Sequence, residues 1–128
     1  MATEPEFEAV AAFGPGRRYW TMAGTVLIGD RHLWLVLPPE DAAAPPRLVV
    51  SEPIEGVSVV AKPRWSFGTG LYLRIGDDMY TLEPQPIYGH ATTPGRIRRA
   101  REAVREFELA LAAAQAAAAR RAQRVPRL

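Results

Sequence analysis

The chain of 128 residues has no cysteine, two histidines, and one lysine, Lys62, among sixteen basic residues. The missing cysteine excludes disulfides, thiolate nucleophiles and Cys-containing metal sites, and it fits a reducing, cytoplasmic setting. His32 and His90 are too far apart for a paired-ligand motif, and no nucleophile motif surrounds Ser51, Ser58 or Ser66. Without an assembled nucleophile, base or metal set, no enzyme, cofactor or small-molecule substrate is expected. No run approaches the ~20 apolar residues of a membrane span. Residues 1–13 carry Glu4, Glu6 and Glu8 but no basic residue, so a secretory signal is not expected either.

Charge is scarce in sum but uneven in place. Residues 96–128 hold nine arginines and three glutamates, a net +6, against −4 for the remainder. Such asymmetry reads either as a basic arm that meets polyanions or as a solvated helix face. The interrupting Glu102, Glu106 and Glu108 favour the second. The preference for arginine over lysine, with abundant alanine and proline, also points to a GC-rich genome, which weakens a functional reading of each arginine.

Two turns organise what is present. Ile28-Gly29-Asp30 and Ile75-Gly76-Asp77 each lie between runs of alternating apolar residues. A Gly-Asp pair there supplies the positive φ of a tight hairpin. Strands are predicted over 19–28, with a break near Gly24, and over 32–37, 47–51, 54–62, 71–75 and 79–83. After Pro94 the pattern changes to helical spacing. Thr93 is the predicted N-cap and Pro94 the first helical position. Ile97, Ala100, Val104, Phe107, Leu111, Ala114 and Ala118 form one apolar stripe. Its bulky members stop at Leu111, so the first four turns are expected to dock, and 112–124 to stay helical but project or fray.

One domain fits this length. Residues 1–16 read as a lead-in with a short docking helix, Phe7, Val10, Ala11 and Phe13 on one side. Residues 17–111 form the β-domain, its capping helix starting at 94. Residues 112–128 form an Ala/Arg-rich helical extension with a basic tail. The predicted class is mainly β: an antiparallel β-sandwich or partly open barrel of six or seven strands capped by one long C-terminal α-helix.

The stretch Gly24-Thr25-Val26-Leu27-Ile28-Gly29-Asp30-Arg31-His32-Leu33-Trp34-Leu35-Val36-Leu37 resembles the opening hairpin of the pleckstrin-homology-like superfamily, especially its GRAM-like members. The step from Leu48 through Pro53 and Ile54 to Val59, the later hairpin over 71–82 and the closing helix over 97–111 are similar too. The resemblance covers about residues 24–111. It implies a non-enzymatic binding module for proteins, peptides or lipid head groups. Phosphoinositide-binding members carry a longer basic first loop; the short Gly29-Asp30-Arg31-His32 turn transfers no such site. The superfamily has seven strands against six predicted, the seventh to come from a split at Gly24 or from 65–67.

Three surfaces are candidates for contact. Trp34 and Val36 on the outward face of their strand, with Tyr72 if the strands share a sheet, make an apolar patch. Either Phe7, Val10 and Phe13 cover it, or a protein partner or second copy does. Lys62, Arg64, Trp65 and Phe67 alternate basic and aromatic groups in a loop that could meet an anionic inner-membrane surface. The alternative is that the aromatics fold back into the core. Arg120, Arg121, Arg124 and Arg127 make a basic tail, open to nucleic acid through counterion release but without interleaved aromatics. The leading expectation is a scaffold module acting through protein–protein contact; lipid and nucleic-acid binding are the alternatives.

Overall fold

A computed structural model describes residues 6–16, 22–63, 68–86 and 93–124. Seven antiparallel strands curl into a half-barrel: β1 (Phe7–Pro15), β2 (Met22–Ile28), β3 (His32–Leu37), β4 (Arg47–Pro53), β5 (Val57–Ala61), β6 (Leu71–Ile75) and β7 (Asp78–Pro84). The spatial order is β4-β3-β2-β1-β7-β6-β5, so β1 lies at the centre and β4 and β5 are the edges. A 3-10 turn, Ile54–Gly56, joins the two edges, and α1 (Pro94–Arg124) closes the chain.

The segment expected to hold a docking helix is instead the central strand. Glu8, Ala9 and Val10 pair with Leu27, Val26 and Thr25 on one side, and Ala12 and Phe13 pair with Glu83 and Leu82 on the other. Phe7, Ala9, Ala11 and Phe13 are buried, a spacing of two. Alanine fits either period, so the few bulky residues were ambiguous between helix and strand. Pairing along both edges decides the matter, because an isolated helix of this length is marginal in water. The sheet therefore starts at Phe7, ahead of the boundary placed at 17, and β1 is the seventh strand. β2 runs unbroken through Gly24, whose missing Cβ leaves room for the Val36 carbonyl oxygen.

The two turns differ. Gly76 has φ 63°, as a tight hairpin needs, and its N–H reaches outside the hairpin to the Gly56 carbonyl at 2.9 Å. Gly29 does not adopt positive φ, contrary to the turn rule. It is needed for space: a Cβ there would come within 2.8 Å of the Trp34 ring.

Inside the half-barrel, Phe13, Val26, Ile28, Leu33, Leu35, Leu71, Leu73 and Leu82 are fully buried. α1 completes this core with Ala100, Ala103, Val104, Phe107 and Leu111, and the Phe107 ring meets Phe7 edge-on at 5.7 Å and 81°. Thr93 caps α1 as expected, its Oγ1 accepting from Arg96 N–H at 3.3 Å.

The alanine-rich half of α1 docks rather than projecting. Ala114 and Ala118 are buried, and Gln115 Nε2 donates to the carbonyls of Ile54 (3.3 Å) and Val57 (2.6 Å). Arg121 donates to the Asp30 carbonyl at 2.9 Å. The bulk-based expectation failed because alanine's small side chain allows a close approach that polar staples can reach across.

Each edge strand has one valine left out of the ladder: Val49 in β4 and Val60 in β5. Such bulges twist an edge and weaken it as a template for strand addition.

Candidate functional site

The outer face of β1–β4 carries an apolar surface that register alone assembles. Val10 pairs with Thr25, Thr25 with Val36, and Val36 with Leu48. Beside this row runs a second, Glu8 to Leu27 to Trp34 to Ser51. Val10 is 57% and Leu48 61% exposed, at the two ends of the row with Thr25 and Val36 between them. A shallow groove of about 570 Å³ runs along Val10, Thr25, Leu27 and Val36, rimmed by Pro38, Pro39 and Pro46. Prolines at the rim cannot donate backbone hydrogen bonds, so they frame the groove without competing for its strands.

Trp34 and Val36 are half-buried on this face, as their alternation implied. Trp34 stacks on His32 (5.8 Å, 20°) and lies over Gly29, which fixes the indole. Tyr72 does not join them. It sits on β6 opposite Thr81 and Ala61, with β2, β1 and β7 between it and Trp34. Shared membership of one sheet did not mean adjacency, because the central β1 separates the hairpins. Nor do Phe7 and Phe13 cover the patch: both turn inward, leaving Val10 as part of the exposed surface. Leu48 and Val10 were missed as members; only strand register could have found them.

The other two surfaces are altered by neighbours. Lys62 Nζ lies 2.9 Å from Glu108 Oε1, an ion pair between the end of β5 and α1. Arg64, Trp65 and Phe67 lie outside the described residues, as do Arg127 and His90. Arg120 and Arg124 are exposed on the last turns of α1, whereas Arg121 is held by the β2–β3 turn. Arg120, Arg121 and Arg124 are thus part of a docked helix. Thr81, buried on β7, is satisfied by donating to the Gly16 carbonyl at 2.8 Å. Among the described residues, no three His, Asp or Glu side chains cluster as metal ligands would, and no helix is long and apolar enough to cross a membrane.

No protein-family description and no curated protein matches the chain. Solved structures of Vav1 are similar to it. An inhibitor-bound form aligns with a TM-score of 0.52 and an apo, activated truncation with 0.53, each at 14% identity and over 84% of this chain. The chain spans about a quarter of those proteins' length, 26% in each case. At that identity the likeness establishes a pleckstrin-homology-like fold.

Proposed function

We propose that this pleckstrin-homology-like chain is a GRAM-like, non-enzymatic scaffold module that binds another protein, or a second copy of itself, through the outer face of β1–β4. The observation that carries the reading is the row Val10, Thr25, Val36 and Leu48, with Trp34 and Leu27 beside it. Contiguous apolar patches of this kind on soluble domains commonly mark contact sites. The GRAM-like assignment rests on the resemblance of the 24–37 hairpin and of the step from Leu48 through Pro53 and Ile54 to Val59. The fold of the Vav1 structures fits a binding module at that coarse level.

The alternative surfaces have less in their support. The Lys62 charge is offset by Glu108, and Arg121 is held against the Asp30 carbonyl rather than carried on a free tail. Size-exclusion with light scattering and affinity capture, on the native chain and on Val36→Asp/Leu48→Asp, tests the proposal. A dimer mass or a captured protein that disappears in the double variant supports it. A strict monomer that retains no protein, or retention indifferent to the double variant, overturns it.

A further inference from the structure

Opposite the buried stripe of α1 runs a second stripe at steps of three and four: Arg98, Arg101, Arg105, Leu109, Ala112, Ala116 and Arg120, all exposed. It is basic at both ends and apolar in the middle. Arg96, Arg98, Arg99, Arg101 and Arg105 crowd the first three turns, and no acidic residue occupies the first. That is the positive end of the helix dipole, where cations are disfavoured and carboxylates normally sit. A groove of about 640 Å³ lies along it, lined by Pro94, Ile97, Arg98, Arg101, Glu102 and Arg105. In the middle, Leu109 is 65% exposed and is followed along the stripe by Ala112 and Ala116, whose small side chains let another helix approach closely. Arg120 follows, roughly 22 Å beyond Arg105 at the helical rise.

We infer that this outward face of α1 is a docking surface for a helical segment of another protein, acidic at both ends and apolar between. Charge complementarity selects that occupant. A second copy is disfavoured in either orientation: parallel helices set each arginine against itself, and antiparallel ones set Arg105 against Arg120. A polynucleotide calls for continuous positive charge, yet residues 106–119 have no basic residue, and they include Glu106 and Glu108. A bilayer would gain little from one leucine among alanines. An acidic-ended helix complements the charge of both arginine groups and covers Leu109. The surface is separate from the sheet face and does not depend on it.

The full chain is titrated with a fluorescent synthetic helix of about six turns, Glu-rich in its first and last turns and Leu/Ala between. Controls are the same peptide with Lys for every Glu, a scrambled peptide, a single-stranded RNA, and phosphatidylserine vesicles. The acidic peptide is expected to bind at least about tenfold more tightly than either peptide control. Leu109→Asp and Arg98→Glu/Arg105→Glu are each expected to weaken it at least about tenfold, with unchanged melting temperatures, while Val36→Asp/Leu48→Asp leaves it intact. Should a variant fold poorly, Ala116→Glu makes the same test from a neighbouring turn. Equal binding of the scrambled peptide, indifference to Leu109→Asp, or tighter binding of RNA or vesicles overturns the inference.

Discussion

Replacing Gln115 with methionine tests whether the alanine-rich half of α1 is held to the sheet by a polar staple. The native amide nitrogen serves two backbone acceptors at the corner between the edge strands, Ile54 at 3.3 Å and Val57 at 2.6 Å. Methionine keeps the side-chain length and the helix propensity but removes the donor. Each bond is worth about 1 kcal/mol net at most, and the Ile54 carbonyl keeps the Val57 N–H as a second donor, so the loss is about 1–2 kcal/mol. Unfolding entropy is roughly 2.1 cal/mol/K per residue, or about 270 cal/mol/K for the whole chain, so Tm should fall by about 4–8 °C. Thermal unfolding by far-UV circular dichroism reads this directly. A companion substitution, Gln115→Glu, sets a carboxyl against the same two acceptors, which favours its protonated form and raises its folded-state pKa above the unfolded value. Its stabilising bond is then present at low pH and lost as pH rises through that folded value. The Tm deficit of the glutamate variant should therefore shrink between about pH 7.5 and pH 4.5. A methionine variant melting within about 1 °C of the native chain would refute the staple.

Phe107→Ala should cost about 3–5 kcal/mol in urea unfolding, because the ring is fully buried and the site is walled by strands that cannot collapse onto it. A double-mutant cycle with Phe7→Leu should return a coupling of about 0.5–1.5 kcal/mol for the edge-on pair, and additive losses would contradict that contact. Glycine-to-alanine changes should differ in sign. Gly24→Ala meets the Val36 carbonyl and should lower Tm sharply, whereas Gly95→Ala in α1 meets nothing nearer than Thr93 Oγ1 at 4.0 Å and should add about 0.5–1 kcal/mol. Truncation after Leu111 removes Ala114, Gln115, Ala118 and Arg121 together, so Tm should fall further than in the Gln115 variants; an unchanged melt would mean the last turns contribute nothing.

Some residues declared their structure in sequence. Leu71, Leu73 and Ile75 alternate with Tyr72 and Arg74, and the Gly76 turn forces the chain back at the expected point. The stripe from Ala100 to Ala118 repeats at helical spacing, and those positions are buried. Trp34 and Val36 follow from the same alternation. Other residues could not speak for themselves. Tyr72 carries the outward signature of Trp34, but signature is a property of one strand and adjacency a property of strand order. Gly29 looked like a turn glycine when its role is to make room for an indole five residues on.

Local periodicity, then, was enough to establish an antiparallel β-domain with a capping helix, since side-chain spacing and turn chemistry are encoded within a few residues. Whether residues 7–15 formed helix or strand, whether the alanine turns docked, and which exposed side chains became neighbours were decided only in the folded molecule. Those outcomes rest on partners distant in the chain. Alanine satisfies either backbone period and buries little surface, so β1 took its state from β2 and β7, and the end of α1 took its place from two carbonyls near Ile54.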